Sequence, residues 1–469
     1  MIDPVVDSTL STLGAACEIN PARPNLRGLP DDTPVMFVPM AAVDEVTGSV
    51  VAPEERQLGE LRTKSYRMFT TGDVIFAKIT PSMENGKSAV VPEIGSGIGF
   101  GSTEFHVLRP QPGVVPSYIW HLVRQESFRR SAREQMTGSV GQERVPTSFL
   151  ESFPFQLPRE PEQVKEVERL DRTTGSARSA TLHLARASVA MERFQQSVLF
   201  AAISGRLTAD WRNENEIAGD AQEIVASISH ERQSRLGQRY KALKPSASDI
   251  ELPNGWCWIT VGALVDVATG ATPLRTNSHY FSGTIPWVTS GAVNAGLIIE
   301  PSEYITELAI KETNTKVFPE GTLLVAMYGE GQTRGRVAEL GIEAATNQAV
   351  AALLFSPQSE CLRGYLKLFF LENYERIRQL SFGGVQPNLS LGVIRDTLIP
   401  LPPLEEQEEI VKRVNQLSAL ADDVRHRIAE SDRRVTQTSQ AILARAFCGE
   451  LADTNDFQLA GVIKSGSKN

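Results

Sequence analysis

Cysteine and histidine are scarce in this chain of 469 residues. It contains four cysteines and six histidines, and the histidines do not cluster in the sequence. Neither CxxC nor Cys/His spacing occurs, which argues against a zinc site or a disulfide framework. We expect no metal or cofactor in this chain, and reduced, partly buried thiols. The cysteines are Cys17, Cys257, Cys361 and Cys448.

Long apolar runs and an excess of positive charge are also missing. The sequence has no run of about 18 apolar residues, so we expect no membrane span. The opening MIDPVVDSTLST does not resemble a signal peptide. We therefore expect a cytoplasmic protein. The net charge is −9, with 14 basic and 17 acidic residues in 1–150 and 10 and 14 in 251–400. This balance excludes a broadly basic nucleic-acid coat but leaves room for a local basic face.

What the chain does contain is a long internal repeat, at a lag of about 244 to 250 residues. FTTGDVIFAKITPSMENGKSAVV (69–91) aligns with FPEGTLLVAMYGEGQTRGRVAEL (318–340). Later matches keep one lag of 244 without a gap, which indicates two copies of a large unit. These matches are Gln142/Gln386, Pro158/Pro402, Gln163/Gln407, Val167/Val411, Gly205/Gly449 and Leu207/Leu451.

Each copy begins with a mixed α+β domain of about 150 residues. GDVIFAKI, EFHVLRP, GTLLVAMY and QAVAALLF favour strands, and SYIWHLVRQESFRRSAREQ and RGYLKLFFLENYERIRQL have helical spacing. We predict domains at 1–157 and 251–402, long helices at 158–207 and 403–452, a helical connector and linker at 208–250, and a flexible tail at 453–469.

The two long segments carry an apolar seam in 3–4 alternation. We predict that they pair as an antiparallel coiled coil, the alternative being ordinary amphipathic core helices. The first seam comprises Leu170, Ala177, Ala180, Leu184, Ala187, Met191, Phe194 and Val198. The second comprises Ile410, Val414, Leu417, Ala421, Val424, Ile428, Val435 and Ile442, with Ser431 and Thr438 between.

The helix ends carry their own signals. Each helix follows a proline loop, LPREPEQVKEVERL at 157–170 and LPPLEEQEEIVKRV at 401–414. Glu405 and Glu406 suit the positive end of the helix dipole, and Gly205 and Gly449 suit the end of a helix. A further amphipathic helix is predicted between Ala221 and Leu243.

This arrangement resembles the DNA-specificity (S) subunits of type I restriction–modification systems. The resemblance covers nearly the whole chain and rests on the order of several motifs. These are PLPPLEEQEEIVKRV (400–414), GGVQPNLSLGVIRDTLIPLPPL (383–404), AILARAFCGEL (441–451), SVLFAAISGRLTADWR (197–212), LPNGWCWITVGALVDVATGATP (252–273) and GTIPWVTSGAVN (283–294). The first copy departs from the Pro-Pro-Leu-Glu-Glu-Gln form. Partner subunits therefore need not dock with equal strength at the two copies.

The resemblance implies two target-recognition domains, each reading one half of a bipartite site in double-stranded DNA. It implies helices that set the spacing and, through their seams, dock two methyltransferase subunits that use S-adenosylmethionine. Restriction/translocase subunits could join this complex. The S subunit itself would carry no catalytic residues.

Two loops follow equivalent strands and are rich in side chains that contact DNA. Our candidates are Lys78, Ser82, Asn85 and Lys87 in the first domain and Tyr328, Gln332, Arg334 and Arg336 in the second. The alternative is that these loops are solvated hairpin turns. RQESFRRSAR (124–133) fits a phosphate-facing or a wet helix face, and Gln142, Gln386 and Asn388 fit turn caps better than DNA contacts.

Two rival functions fit less well. GEGQTRG (329–335) suggests a phosphate loop but lacks the GK[ST] ending, and Arg334 stands where GxGxxG requires glycine. Asn347 opens NQAV, which lacks the Pro-Pro-Tyr of an amino-methyltransferase motif. A purely structural scaffold accounts for the helices but not for two unlike domains with polar loops.

Overall fold

The computed structural model describes residues 9–26, 28–139, 141–215, 219–239, 251–329, 332–379 and 389–447. The chain forms two compact units. One comprises Met1–Arg186 with Ile428–Asn469, and the other comprises Ala187–Arg427. The predicted tail, Gly449, Leu451, Gln386 and Asn388 lie outside the described residues.

The first domain contains two four-stranded sheets and a two-stranded ribbon. The sheet orders are β2-β9-β6-β7 and β4-β3-β8-β5, and β1 pairs with β10. The strands are β1 (Thr9–Thr12), β2 (Cys17–Ile19), β3 (Pro34–Val38), β4 (Glu54–Gln57), β5 (Arg67–Phe69), β6 (Val74–Ala77), β7 (Ser88–Val90), β8 (Gly99–Gly101), β9 (Phe105–Pro110) and β10 (Pro154–Leu157). The helices are α1 (Leu13–Ala16), α2 (Leu58–Leu61), α3 (Pro116–Arg124), α4 (Glu126–Glu134) and α5 (Thr147–Ser152).

Three helices separate this domain from the second. The first is α6 (Glu160–Ile203), 44 residues long, and the others are α7 (Ala209–Glu214) and α8 (Ala221–Leu236). After α6 the chain adopts a positive φ of 72° at Gly205, as the sequence predicts. Helix α8 begins at the predicted Ala221, where the Asp220 side chain accepts from Gln222 N at 3.0 Å.

The second domain repeats the architecture of the first. Its sheets have the orders β12-β20-β17-β18-β14 and β15-β13-β19-β16, and β11 pairs with β21. The strands are β11 (Cys257–Thr260), β12 (Asp266–Ala268), β13 (Phe281–Val288), β14 (Leu297–Ile298), β15 (Glu303–Ile305), β16 (Val317–Phe318), β17 (Leu323–Ala326), β18 (Val337–Leu340), β19 (Ala344–Thr346), β20 (Val350–Leu354) and β21 (Leu398–Leu401). The helices are α9 (Val261–Leu264), α10 (Glu307–Glu312), α11 (Arg363–Glu372), α12 (Tyr374–Gln379) and α13 (Leu391–Asp396).

Buried strands produce the core of each domain. Val74–Ala77 and Leu323–Ala326 are buried at every position, because a central strand packs on both of its faces. The predicted helical stretches each form two helices rather than one. The breaks fall at Gln125, whose ψ is 140°, and at Asn373, whose ψ is 9°.

The last helix, α14 (Leu404–Phe447), also has 44 residues. In the first unit Leu170 near the start of α6 shares a core with Leu443 near the end of α14. In the second unit Val198 near the end of α6 shares a core with Ile410 near the start of α14. The two helices therefore pair antiparallel, and the mixed α+β fold with two long paired helices agrees with the sequence prediction.

The seam of α14 differs from the predicted one after Ile428. Ser431 and Thr438, which were predicted to lie in the seam, are exposed. The next residues, Asp432 and Ser439, are half-buried instead. A helix with 3.6 residues per turn drifts from a strict seven-residue repeat, so the buried face moves by one position. Leu170, Val198, Ile410, Val414 and Ala421 are buried, and half-buried are Ala177, Ala180, Leu184, Ala187, Met191, Phe194, Leu417, Val424, Ile428, Val435 and Ile442.

All four cysteines were predicted to be partly buried; Cys448 lies outside the described residues, and the prediction is wrong for one of the other three. Cys17 is buried and Cys257 is half-buried, but Cys361 is exposed. It lies in a 3-10 turn, Glu360–Leu362, whose inward position is taken by Leu362. None of the helices in the described part of the chain combines the length and apolar character of a membrane span.

Candidate nucleic-acid interface

The two candidate loops connect equivalent strands and close in the same way. In the first domain Ala77 N donates to Lys87 O at 2.9 Å, and in the second Ala326 N donates to Arg336 O at 2.9 Å. Each loop turns through a glycine of positive φ before the last cationic residue, 76° at Gly86 and 87° at Gly335. The repeat seen in the sequence is therefore a repeat of loop geometry.

Each loop packs against the second of two consecutive helices, α4 in the first domain and α12 in the second. Arg129 on α4 donates to Glu84 O at 2.5 Å, and a Cβ at Gly86 would lie 3.2 Å from the Arg129 guanidinium. In the second domain Tyr374 on α12 donates to Gln332 O at 2.5 Å. Tertiary contacts hold these loops in place, so they are not free hairpin turns.

The structure separates the four candidates of the first domain. Lys78 is half-buried and its backbone N–H donates to Glu104 O at 2.9 Å. Asn85 donates to Glu45 Oε2 at 3.2 Å, and the Lys87 ammonium donates to Met40 O at 3.4 Å. Ser82 is half-buried. Lys87 is thus engaged by the domain itself, whereas Lys78 lies among other charges.

The candidates of the second domain form a smaller, linked group. Arg336 donates to the backbone and side-chain oxygens of Gln332, both at 3.1 Å, and lies 5.8 Å from the Tyr374 ring centroid. Tyr328 is 36% exposed, and Arg334 is half-buried. Gln332 is exposed and accepts hydrogen bonds from Arg336, so the two side chains lie together at the surface.

The arginine-rich stretch 124–133 has mixed roles. Arg124 donates to Glu45 O and Val46 O, both at 3.0 Å, and burial lowers its pKa to about 10. Arg130 and Arg133 are exposed. The expectation of a wet or phosphate-facing helix is wrong for Arg124 and Arg129, which hold backbone carbonyls, because a fork of N–H donors satisfies several acceptors at once.

Each proline loop is tied to its helix by a glutamine five residues later. Gln163 donates to Pro158 O and Gln407 donates to Pro402 O, both at 2.8 Å. Both glutamine side chains are buried, at 1% exposure. In the first unit Gln163 also accepts from Val115 N at 2.8 Å. The bond from the glutamine amide to the proline carbonyl, present in both units, is the physical reason for the recurring Pro and Gln.

Glu406 has a role that the sequence did not reveal. It was predicted to favour the helix dipole, but it is fully buried and accepts from Thr208 Oγ1 at 2.6 Å and Trp256 Nε1 at 2.8 Å. Arg212 pairs with the same carboxylate. Its partners are 150 to 198 residues away along the chain, so only the fold brings them together.

The start of α6 lacks this buried network. Glu162, the counterpart of Glu406 at the lag of 244, accepts from Arg159 N at 3.2 Å and is half-buried. That contact is a local helix start of the capping-box type. The sequence difference between the two proline loops therefore corresponds to a difference in how the two helices are anchored.

A groove of about 750 Å³ lies within the first unit. Trp120, Leu182, Val435 and Leu443 give it apolar walls, and Arg178 adds a cation. Arg178 has no hydrogen-bond or ion-pair partner among the residues that the structure describes. An apolar groove with a cationic edge suits an amphipathic protein segment.

His106 is a buried titratable group that interacts electrostatically with Lys78. It accepts from Asn20 Nδ2 at 2.9 Å through Nδ1, and its Nε2 lies 2.8 Å from Val145 O. The carbonyl requires Nε2 to carry the proton. Burial, the largest cause, lowers the pKa of His106 to about 4. The ring is therefore a neutral structural element of the domain.

We expect this ring to make the first unit sensitive to acid. Between pH 6.5 and 4 the unfolded histidine binds a proton and the folded one does not. The free energy of unfolding therefore decreases as the pH is lowered through this range, by about 3 kcal/mol in total. His106→Gln should flatten that fall in urea titrations at several pH values. His183→Gln, at an exposed position of α6, should leave it unchanged, and equal profiles for His106→Gln and the parent would contradict the assignment.

In the part of the chain that is described, no three His, Cys, Asp or Glu side chains lie together as possible metal ligands. Gln142, on the exposed turn before the first long helix, accepts from Arg144 Nη1 at 3.0 Å through its backbone oxygen. The described loops thus offer cations, amides and hydroxyls, the donor types that contact nucleic-acid phosphates and base edges.

Comparison with known proteins gives a consistent result. The type I restriction modification DNA specificity domain matches residues 253–430. The EcoAI specificity subunit of Escherichia coli is 23% identical over 92% of this chain and 81% of its own length. The EcoDI specificity subunit of Escherichia coli is 29% identical over 63% of this chain and 62% of its own length.

Two solved structures share the fold. A chain from a type I R-M system assembly has a TM-score of 0.72 and 20% identity, covering 95% of this chain and 98% of that one. The HsdS subunit from Thermoanaerobacter tengcongensis has a TM-score of 0.58 and 21% identity, covering 96% and 98%. In its duplicated domains, its paired helices and the sequence of residues 253–430, the chain is similar to the DNA-specificity subunits of type I restriction–modification systems.

Proposed function

We propose that each α+β domain reads one half of a bipartite site in double-stranded DNA. One observation carries this proposal. Apart from the added strand β14, the two domains have the same order of strands, but they have different side chains at equivalent loop positions, as at Lys78 and Met327, which follow the equivalent strands β6 and β17. A shared scaffold with unlike loops is suited to recognising two unlike sequences.

The paired helices α6 and α14 would set the spacing and dock the partner subunits. Large apolar side chains on them are exposed at 43% to 58%, namely Val164, Leu182, Val189, Phe200 and Leu420. Exposed apolar groups on long helices favour packing against helices of another protein. The groove of the first unit, with Trp120 and Arg178, adds a place for such a segment.

The partners we propose are two methyltransferase subunits, with restriction/translocase subunits as a further component. The chain itself would be a non-catalytic subunit that directs their adenine methylation and endonuclease activities. S-adenosylmethionine would then belong to the methyltransferase. Because residues 1–150 and 251–400 are both net acidic, we expect the isolated chain to bind DNA weakly and with strong salt dependence.

A domain exchange tests this function. Replacing residues 1–157 by the recognition domain of another specificity subunit should change one half-site and leave the other half-site and the spacing intact. The reason is that each domain has its own sheets and core. Methylation motifs of cells expressing the parent or the exchanged complex, read by single-molecule sequencing, give the result. A change in both half-sites, or in neither, would count against one domain for each half-site.

A further inference from the structure

Two arginines, Arg23 and Arg62, hold the backbone of a short loop of the first domain, residues 62–66, in place. Arg23 donates to the backbone oxygens of Arg62, at 3.4 Å, Lys64, and Tyr66, at 2.7 Å. Arg62 in turn pairs with Asp31 at 3.0 Å. Three carbonyls on one guanidinium fix the course of residues 62–66, so the side chains that the loop presents are positioned in advance.

Cations on this loop and beside it lack partners. Lys64 is exposed, and Arg67 and Lys78 are half-buried. None of the three side chains has a hydrogen bond or ion pair with any residue in the described ranges. A half-buried cation without a protein partner is unfavourable unless water or an external anion satisfies it.

Lys64 and Arg67 line a polar cavity of about 320 Å³, together with Asn20 and the hydroxyls of Thr63 and Ser65. Hydroxyl and cationic donors around a polar space suit the oxygens of a phosphate. The cavity volume is large enough for one phosphate group and its waters.

Lys78 is linked to this cavity by a chain of bonds. Asn20, in the cavity wall, binds His106, and His106 binds Val145 O. Val145 N donates to Lys78 O at 2.9 Å. The backbone of Lys78 is therefore fixed by contacts that do not involve its ammonium group, and that group is close enough to Arg67, in the cavity wall, to interact with it electrostatically.

The local charge is positive. Desolvation, then Arg67 and Arg144, lower the pKa of Lys78, while Glu104 opposes them. Glu104 is already engaged by Arg144, at 2.9 and 3.1 Å. One shared carboxylate thus faces three cations, and its hydrogen bonds go to Arg144.

The second domain lacks the charges of Lys78 and Glu104 at the equivalent positions, although Lys316 stands at the position of Arg67. Met327 N donates to Ala349 O at 2.8 Å, as Lys78 N donates to Glu104 O at 2.9 Å. Leu389 N donates to Met327 O, the counterpart of the Val145 bond. The same backbone frame thus carries Met327 and Ala349 in one domain and a cation and a carboxylate in the other.

We propose that Lys64, Arg67 and Lys78 bind a backbone phosphate of DNA in the half-site of the first domain. This inference rests on the proposed function and names residues that perform it. The polar cavity favours phosphate over an amphipathic peptide, for which the apolar groove at Trp120 is better suited. Only one of the two candidate loops would then supply a phosphate contact of this type.

The test uses the full chain assembled with its methyltransferase subunits and a duplex carrying the methylated motif of the host. The double variant Arg67→Gln and Lys78→Gln should bind more weakly, and the slope of log affinity against log salt should shrink by about 1, since one phosphate contact contributes about 0.9. The control, Arg56→Gln and Lys311→Gln, removes two cations that pair with Glu54 and Glu307, and its slope should stay unchanged. Thermal midpoints and retention of the methyltransferase report folding and assembly.

Phosphate-ethylation interference locates the contact, with signals expected to vanish from one half-site only. An unchanged slope, in a complex that still methylates its motif, would overturn the inference and leave the proposed function standing. The inference would also be overturned if the double variant no longer bound the methyltransferase but still bound DNA, because the three cations would then contact protein. If the parent complex recognises no two-part motif, the proposed function fails and this inference fails with it. The single variant Arg67→Lys, which keeps the positive charge, should retain most of the parent's salt slope.

Discussion

Glu406→Ala is expected to lower the stability of the unit Ala187–Arg427 by about 3–5 kcal/mol. The carboxylate is fully buried and joins Thr208, Trp256 and Arg212. Removing it leaves a largely buried guanidinium and two buried donors without an acceptor, which costs more than the bonds themselves contribute. Denaturant unfolding followed by tryptophan fluorescence would report the loss, since Trp256 is one of the partners.

Glu162→Ala is the matched control for Glu406→Ala. It removes the same side chain at the equivalent position of the other helix, where the carboxylate makes one local bond, to Arg159 N. We expect a cost of about 1 kcal/mol or less, typical of a helix cap. Glu406→Gln should lie between the two, because it keeps the shape and loses the charge. Equal effects of Glu406→Ala and Glu162→Ala would show that the buried network adds nothing.

A seven-residue insertion in both long helices is expected to abolish recognition of the original motif and to create one with a longer spacer. One heptad adds about 10 Å of helix, and base pairs of DNA are about 3.4 Å apart, so the spacer should grow by about three base pairs. Insertion in both helices keeps each residue opposite its partner. Insertion points after Arg186 and after Arg427 leave each compact unit unbroken.

Methylation mapping of cells that express the lengthened chain gives the measurement. Both half-sites should be retained, because the loops are untouched. A heptad added to α14 alone should impair assembly, since the second-unit core at Ile410 and the first-unit core at Leu443 could no longer both form with an unchanged α6. Seven residues added within the linker 240–250 provide the length control, with an unchanged motif. An unaltered spacer in the doubly lengthened chain would contradict the spacing role of the helices.

The repeat and the long helices were open to prediction because they depend on local patterns. Strands such as Val74–Ala77 and Leu323–Ala326 have apolar runs after a glycine turn, and α6 and α14 have period and punctuation. Glu406 lies in the first turn of α14 as predicted, but its buried network was not predicted because the helix start by itself explains an acidic residue there. Nothing in the local sequence shows that Arg212 and Trp256 meet that carboxylate.

The candidate loops show a second limit. Lys78 and Lys87 have the same charge in one loop, but only Lys87 donates to a backbone carbonyl of its own domain, Met40 O. Arg67 escaped notice because it lies in a strand 11 residues earlier, and the cavity it lines exists only in the folded domain. The repeat itself held a signal, since Lys78 aligns with Met327.

The junction between each domain and its helix depends mainly on main-chain atoms. Gln163 holds Pro158 O and Val115 N, and Tyr118 donates to Gln156 O at 3.0 Å. In the second unit, Tyr365 donates to Pro400 O at 2.5 Å. Since Gln163 and Gln407 lie on the helices and bind backbone carbonyls, mutation or recombination can replace the loop side chains of a recognition domain and keep this joint, provided that Tyr118, Tyr365 and Trp256 stay. New DNA specificities can therefore evolve on one inherited frame without a matching change in the helices.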